Sequence, residues 1–404
     1  VLMAVARRTS RDIRSESRLI VVRALLAAEE TTRNELAEDT GLSPATVSTI
    51  VGDLLKYGIA AETGLLNGTI GRPTTGLRLN ADRGRVVGVY LEDRFLEATV
   101  YDAALGRLAD FETVTDEPVE DADRVIDLIE HALDTALERA QSNRDEVLGV
   151  GVLLPGGMQR PVKAESVPDA IWLHLDRLRD RLGLPVVVDN PLKAIATAEL
   201  WLGAGRRSAN VVAVNLGTGV GAGIVQDGAV VRGASNSAGE WGHSLLAFEG
   251  RQCLCGRKGC VEAYVGVPGI RLTLDETAPG HPLAEVAGHP EFIEALGAAA
   301  ETGDPAAIAT IERTAHYLGA ALTDLVAVVN PEVIALTGTT TEPLSDRLLP
   351  IVRDRIRDDA PGDAAVDLSV ELSRSCGMDG IAAIALERFM RDAGLVTTRV
   401  LPTI

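Results

Sequence analysis

The chain has 404 residues, with 39 Lys+Arg against 58 Asp+Glu, a formal charge of −19 and a sequence pI near 4.8. With 46% hydrophobic residues and a mean hydropathy of +0.13 it can fill substantial cores, which excludes a disordered acidic tail and suggests roughly two or three domains. A body this acidic repels a phosphate backbone or an anionic membrane surface as a whole, so any nucleic-acid contact has to be sought locally.

No apolar run reaches the roughly 18 residues of a spanning helix; even Leu322 to Leu336 is broken by Asp324 and Asn330. Val1 to Arg18 carries five arginines without the apolar core of a secretory signal, and reads as a flexible basic arm over residues 1–14. Three of the four cysteines fall within eight positions, a spacing ill suited to a disulfide framework. The expectation is a soluble, cytoplasmic chain with no membrane partner.

The charge is unevenly placed. Residues 1–80 hold ten basic and nine acidic side chains and net +1, leaving −20 on the other 324. This break, with the turn Asn80-Ala81-Asp82-Arg83-Gly84, predicts a domain of residues 15–80 and a second region of residues 81–404.

In the first domain Leu19, Val22, Leu25 and Leu26 recur at helical spacing and the helix should stop near Glu29. Thr32 with Glu35 has the form of a capping box opening a second helix, and Gly41 suits its left-handed cap. Ser43 is a good N-cap with Pro44 in the first helical position, and Val47, Ile50, Val51, Leu54 and Leu55 form one stripe before Gly58. Opposite that stripe lie Ala45, Thr46, Ser48 and Thr49, small residues with hydroxyls that suit a groove. Ile59–Glu62 and Thr75–Asn80 look like strands flanking a loop from Gly64 to Arg72. The order is that of a helix-turn-helix followed by a wing, with Arg33, Ser43, Ala45, Thr46, Ser48, Thr49 and Arg72 as the candidate DNA contacts. A small helical interaction module is the competing reading.

Beyond Arg85, strands and helices alternate. Strands are predicted at Val86–Leu91, Glu97–Asp102, Val147–Leu153, Val186–Val188, Val211–Val214, Gly221–Val225, Val333–Thr337 and Ala365–Leu372. Helices are predicted near 121–141, 194–202, 306–329 and 344–357. The pattern is that of an α/β protein with mixed sheets in two lobes.

His243 followed by Cys253, Cys255 and Cys260 supplies one imidazole and three thiolates, a closed tetrahedral set for a structural zinc ion. Gly256 and Gly259 allow the tight turns this needs; unrelated buried thiols or a redox pair are the alternatives. The glycine cluster from Asn215 to Gly223 would let a phosphate approach Thr218 and nearby amides, and suits a purely structural turn equally well.

Together Asn215–Gly223, Gly239-Glu240-Trp241-Gly242-His243 and the Cys253–Cys260 cluster followed by Glu262, behind a winged helix, closely resemble the ROK family (repressors, open reading frames and sugar kinases) from about Arg14 to Met390. The resemblance implies an actin-like, two-lobed sugar kinase fold, used for phosphorylation of a hexose by ATP or, with a winged helix attached, for sugar-responsive repression. It also implies a homodimer or homotetramer. Asn190, Glu240, His243 and Glu262 fall on positions that contact or frame a sugar effector in the family.

The kinase machinery departs from the family pattern. The phosphate loop Asp-x-Gly-Gly-Thr is replaced by Tyr90, Glu92, Asp93 and Arg94, placing carboxylates where backbone amides should meet phosphates. The catalytic Asp of Asn-Asp-Ala-Asn becomes Pro191, which accepts no proton, and the late Gly-Gly reads Thr337-Gly338. The prediction is a sugar-responsive regulator of a double-stranded DNA operator, most simply a repressor, with no catalytic residues and a structural Zn²⁺. An active sugar kinase with a regulatory domain, or a ligand-independent DNA-binding regulator, are the alternatives.

Overall fold

The computed structural model of the chain describes residues 10–66, 74–92, 94–115, 122–154, 175–373 and 375–396. They divide into two compact units. The described residues up to 189 and from 381 onward make up the first, and those of 190–380 the second.

The first unit opens with three helices, α1 (Ser10–Ala28), α2 (Arg33–Thr40) and α3 (Pro44–Lys56). Their starts and stops follow the local chemistry. Thr32 and Glu35 form the full capping box of α2, which ends on Gly41 at φ 67°. The Ser43 hydroxyl accepts the Thr46 amide at the head of α3, with Pro44 behind it. Val47, Ile50, Val51 and Leu54 are buried, as are Val21, Val22, Leu25 and Leu36 of the other two helices. Helix α1 begins at Ser10, inside the 1–14 range expected for a flexible arm. No Gly or Pro interrupts residues 10–18, and extending a helix already anchored at Val21 and Leu25 adds one hydrogen bond per residue.

The wing is a hairpin of β1 (Ala60–Leu66) and β2 (Thr74–Leu79), antiparallel with Ala60 opposite Leu79. Strand β1 runs beyond the Glu62 limit read from sequence. A register shift between Glu62 and Gly64, at φ 113°, leaves Thr63 as the extra residue of a bulge, so the glycine bends a strand rather than opening a loop. Arg72, the expected tip contact, lies outside the described residues.

The rest of the first unit is one sheet in the order β5-β4-β3-β6-β7: β3 (Arg85–Glu92), β4 (Phe95–Asp102), β5 (Arg107–Val114), β6 (Val147–Leu153) and β7 (Val186–Asp189). Strands β3, β4 and β5 are an antiparallel meander, and β6 and β7 run parallel to β3. Every residue of β6 is buried, as a central parallel strand covered on both faces requires. Helix α4 (Ala122–Arg139) lays Val125, Ile129, Leu133 and Leu137 onto Val87, Val89, Val150 and Val152; α5 (Leu175–Leu182) adds Leu178 and Leu182. Strand β5 escaped prediction because it is an edge strand whose exposure alternates along a half-polar sequence.

The second unit repeats this topology. Its sheet runs β10-β9-β8-β11-β12: β8 (Val211–Leu216), β9 (Val220–Gln226), β10 (Ala229–Val230), β11 (Val333–Thr337) and β12 (Ser369–Leu372). Again three strands form an antiparallel meander and two follow in parallel. Strand β12 starts at Ser369 rather than Ala365, after the turn-forming Pro361, Gly362 and Asp363.

The helices of this unit are α6 (Pro191–Trp201), the short α7 (Glu262–Val265), α8 (Val267–Thr277), α9 (His289–Glu301), α10 (Pro305–Val329) and α11 (Thr341–Asp359). Leu318, Leu322 and Val326 of α10 and Leu344, Leu348 and Val352 of α11 share one core with Val212, Val214 and Leu336 of the sheet. The last helix, α12 (Gly377–Asp392), starts in the second unit and from Ile381 belongs to the first.

Candidate functional site

Two groups of residues carry chemistry, one in each unit. In the first unit, α3 turns Ala45, Ser48 and Thr49 to solvent, with Thr46 half-buried. The Ser43 and Thr46 hydroxyls lie 2.8 Å apart, and Thr49 Oγ1 donates to the Ala45 carbonyl at 2.9 Å. These bonds fix the hydroxyl oxygens on an exposed face without filling their acceptor capacity. Arg33, grouped with them from sequence, is held toward Glu62 of the wing at 3.4 Å. It stands between α2 and β1 rather than on the outer face of α3.

The second group surrounds β8 and β9. Trp241–His243 forms a single 3₁₀ turn that brings His243 against the cysteine loop. That loop is closed by isolated bridges, Leu245 with Cys260 and Gln252 with Lys258, and by Cys253 N–H donating to the Arg257 carbonyl at 2.8 Å. Gly256 and Gly259 take φ of 85° and 79°, and a Cβ on Gly259 would come within 1.8 Å of the Ala247 carbonyl oxygen. No other residue fits there.

The outcome is that one ligand atom from each of His243, Cys253, Cys255 and Cys260 lies within 4.8 Å of the others. Cys255 Sγ and Cys260 Sγ are 3.7 Å apart, and His243 Nδ1 is 3.8 Å from Cys253 Sγ. A tetrahedron with zinc bonds of about 2.3 Å to sulfur and 2.0 Å to nitrogen has edges of roughly 3.5–3.8 Å, so the donor set and its spacing fit such an ion. Burial pushes the Cys253 thiol up to about 12. Burial acts on Cys255 as well, but the Arg257 amide and side chain and the neighbouring thiols outweigh it and hold that thiol near 6. Loading a metal would therefore displace protons.

Glu262 completes the cluster from outside. Its Oε1 lies 3.4 Å from Cys253 Sγ and 3.9 Å from His243 Nδ1, while Oε2 accepts the Val220 amide at 2.9 Å. One oxygen thus serves the cysteine loop and the other the β8–β9 turn. Asn190 is 2% exposed and caps α6, with Oδ1 accepting the Lys193 amide at 3.0 Å. Glu240 is exposed at the head of the turn that carries His243.

Between these lies Lys193, fully buried, with its ammonium donating to the Ala238 carbonyl two residues before Glu240. This tether links the Asn190 end of α6 to the Glu240 segment. Sequence reasoning missed Lys193, because nothing local distinguishes a buried lysine from an exposed one. Gly239, at φ 92°, would bring a Cβ within 1.8 Å of the Ala222 carbonyl. Gly239→Ala is accordingly expected to cost about 2–4 kcal/mol, seen as a lower melting temperature of the full chain.

The glycine cluster divides by role. Gly221 and Gly223 admit α6: Cβ atoms there would lie 2.6 Å from Leu192 Cδ1 and 2.1 Å from the Leu192 carbonyl oxygen. A Cβ on Gly217 would come no closer than 3.5 Å to Thr339 Oγ1 and one on Gly219 no closer than 3.7 Å to Glu262 Oε2, and the Thr218 hydroxyl pairs with His289 Nδ1 at 2.8 Å. His289 was not foreseen. Its signal is its place at the first position of α9, behind Gly288.

The kinase-linked positions read as follows. The Tyr90 hydroxyl donates to Glu92, Arg94 Nε donates to the Thr115 carbonyl at 2.8 Å, and Asp93 lies outside the described residues. Pro191 is the first residue of α6, where its fixed φ suits the helix start.

Comparison with known proteins places these features. The model of the ROK family matches residues 97–388, and a winged helix-turn-helix DNA-binding model matches residues 14–60. A xylose repressor of Bacillus spizizenii is 24% identical over 390 residues, spanning 94% of this chain and 97% of that protein. A glucokinase of Halalkalibacterium halodurans is 32% identical over 233 residues, 55% of this chain and 71% of the enzyme. The crystal structure of a ROK family transcriptional regulator, a homolog of the E. coli Mlc protein, superposes with a TM-score of 0.72 at 26% identity, covering 94% of this chain and 98% of that one.

Proposed function

The chain belongs to the ROK family, and from that premise we propose that it is a cytoplasmic, sugar-responsive transcriptional repressor that binds a double-stranded operator as a homodimer or homotetramer. The observation that carries this reading is the winged helix with its exposed Ala45–Thr49 face in the same chain as the ROK body. Similarity to a xylose repressor over nearly the full length of both chains supports it. Residues 15–80 form the DNA-binding domain and residues 81–404 the effector and assembly region, with a basic arm ahead of them.

In this reading Ser43, Ala45, Thr46, Ser48 and Thr49 present small, mostly polar edges to the groove, Arg33 steadies the wing, and Arg72, between β1 and β2 in the sequence, is the candidate minor-groove contact. Asn190, Glu240, His243 and Glu262 frame the effector. Carboxylates, an amide and an imidazole suit vicinal hydroxyls. With Nδ1 turned to the thiols, His243 has Nε2 left for a sugar hydroxyl. Zinc held by His243, Cys253, Cys255 and Cys260 keeps all four positions closed and acts structurally, fixing the loop that positions His243 and Glu262.

The similarity to glucokinases raises the enzyme reading. The residues in place argue against it: Pro191 offers no base, and Glu92 with Asp93 repels phosphates. Incubation of purified chain with ATP and a panel of pentoses and hexoses is expected to give no sugar-dependent ADP release; turnover with any sugar overturns the assignment. The regulatory reading is tested by selecting duplexes from a randomised pool and titrating the selected duplex with the same sugars. Enrichment of no sequence defeats it. An enriched duplex whose affinity no sugar alters leaves a ligand-independent regulator instead.

A further inference from the structure

We propose that Asn236 is a further effector contact, whose buried carboxamide nitrogen donates to a sugar oxygen and sets which sugars the chain answers to; the proposal rests on the sugar-responsive reading above. Asn236 belongs to the loop of residues 231–240, which leads from β10 into Glu240. The loop is pinned at both ends. At its start the Val231 amide donates to the Ile224 carbonyl of β9 at 2.8 Å, and the Ala238 amide closes the loop on the Arg232 carbonyl at 3.1 Å. At its end the Gly239 carbonyl accepts the Ala222 amide of β9 at 2.9 Å, and the Ala238 carbonyl accepts the Lys193 ammonium of α6.

Within this loop Gly233, Ala234 and Ser235 are exposed, and Asn236 alone among residues 231–240 is buried, at 5% exposure. It turns inward through the left-handed region, at φ 60°, which asparagine tolerates better than most residues. One end of its side chain is satisfied. Oδ1 accepts Arg232 Nη1 at 3.1 Å, and because a guanidinium only donates, this bond settles which end of the amide is the oxygen. The other end is not. Nδ2 is buried, and no acceptor reaches it among the described residues. The local fold does not call for that group: glycine would take φ 60° with less strain, and aspartate would pair Arg232 with a full charge. What asparagine adds is a buried donor, and such a donor costs stability until an acceptor meets it.

A sugar supplies the acceptor. The carboxylates of Glu240 and Glu262 accept from sugar hydroxyls, and each hydroxyl so held keeps lone pairs that call for a donor. A donor four residues before Glu240, on the same pinned loop, meets that need. A site with a buried donor rejects a ligand that lacks the matching oxygen, so the class selected is a sugar bearing an oxygen at one particular ring position, against its deoxy analogue.

The test is calorimetric titration of the full chain with d-xylose, d-glucose, d-fructose and N-acetyl-d-glucosamine, followed by the monodeoxy derivatives of the sugar that binds. Asn236→Asp keeps the pair with Arg232 and lacks the donor. It should bind the parent sugar about 10–100-fold more weakly than the wild type does. For one deoxy derivative the difference from the parent sugar should vanish in the variant, while the differences for the other positions persist. A merely structural role would lower all affinities alike. Parent affinity unchanged in Asn236→Asp, or the same sensitivity to every deoxy derivative in both chains, overturns the proposal and leaves the sugar-responsive reading standing. Should no sugar bind the wild type, that reading falls and the proposal falls with it. If Asn236→Asp does not melt cooperatively, Asn236→Gly, which accommodates φ 60° and also lacks the donor, carries the same comparison.

Discussion

A Cys260→Ser chain is expected to retain no zinc and to melt about 6–20 °C below the wild type, which should carry one zinc per chain by elemental analysis. The magnitude follows from the site. Cys260 is 2% exposed and Cys253 is 3% exposed, and the backbone bridges Leu245 with Cys260 and Gln252 with Lys258 wrap the loop around the four side chains. Exchanging a thiolate for a hydroxyl removes one of four ligands and leaves a polar group where a sulfur packs, a loss of about 3–5 kcal/mol when a buried structural site is dismantled. For a unit of this size each kcal/mol moves the midpoint by about 2–4 °C. The same variant should lose any sugar response, because His243 and Glu262 are placed by that loop. Wild-type chain that is purified without chelators, holds no metal and melts with the variant would defeat the zinc assignment.

The second large effect concerns α3. Ser48→Glu is expected to weaken binding of the selected duplex by about 100-fold, measured by fluorescence anisotropy at fixed salt. Ser48 is exposed on the face opposite Val47, Ile50 and Val51, so the substitution leaves the helix core intact. It exchanges a hydroxyl able to bond a base edge, worth about 1–3 kcal/mol, for a carboxylate facing phosphates. Thr302→Glu adds the same charge at an exposed position in the acidic body and should change affinity by less than about twofold. Equal effects from both would show that net charge governs binding and that α3 has no special part in it.

The extent to which each feature could be read in advance follows from the range of the interaction that makes it. Capping boxes, N-cap serines, left-handed glycines and apolar stripes act within a few residues, and α2, α3, β6 and β11 stand where their sequences put them. The cysteine spacing was legible for the same reason, since three ligands lie within eight residues and the fourth comes from a turn close behind. Edge strand β5 and the bulge in β1 were not, because their pairing partners decide them. The glycine cluster shows the limit most clearly: its alternation is one pattern, yet Gly217 and Gly219 would accept a Cβ at ordinary contact distance while Gly221 and Gly223 make room for α6.

The sequence by itself determined that a near-neutral helical module precedes an acidic α/β body, that one imidazole and three thiols fall close together in the chain, and that position 191 holds a proline, which accepts no proton. These are statements about residue identity and short spacing, which no packing can alter. Tertiary structure alone decided that Lys193 is buried beneath the Glu240 segment, that Glu262 turns one oxygen to the cysteine loop and the other to the β8–β9 turn, and that Arg18 and Arg83 join α3 to the end of α12. An arginine at position 18 meets a carbonyl 377 residues away only once the chain has closed on itself. Contacts of that span leave no periodicity, cap or charge break in the chain, since their energy depends on the three-dimensional neighbour and not on the sequential one.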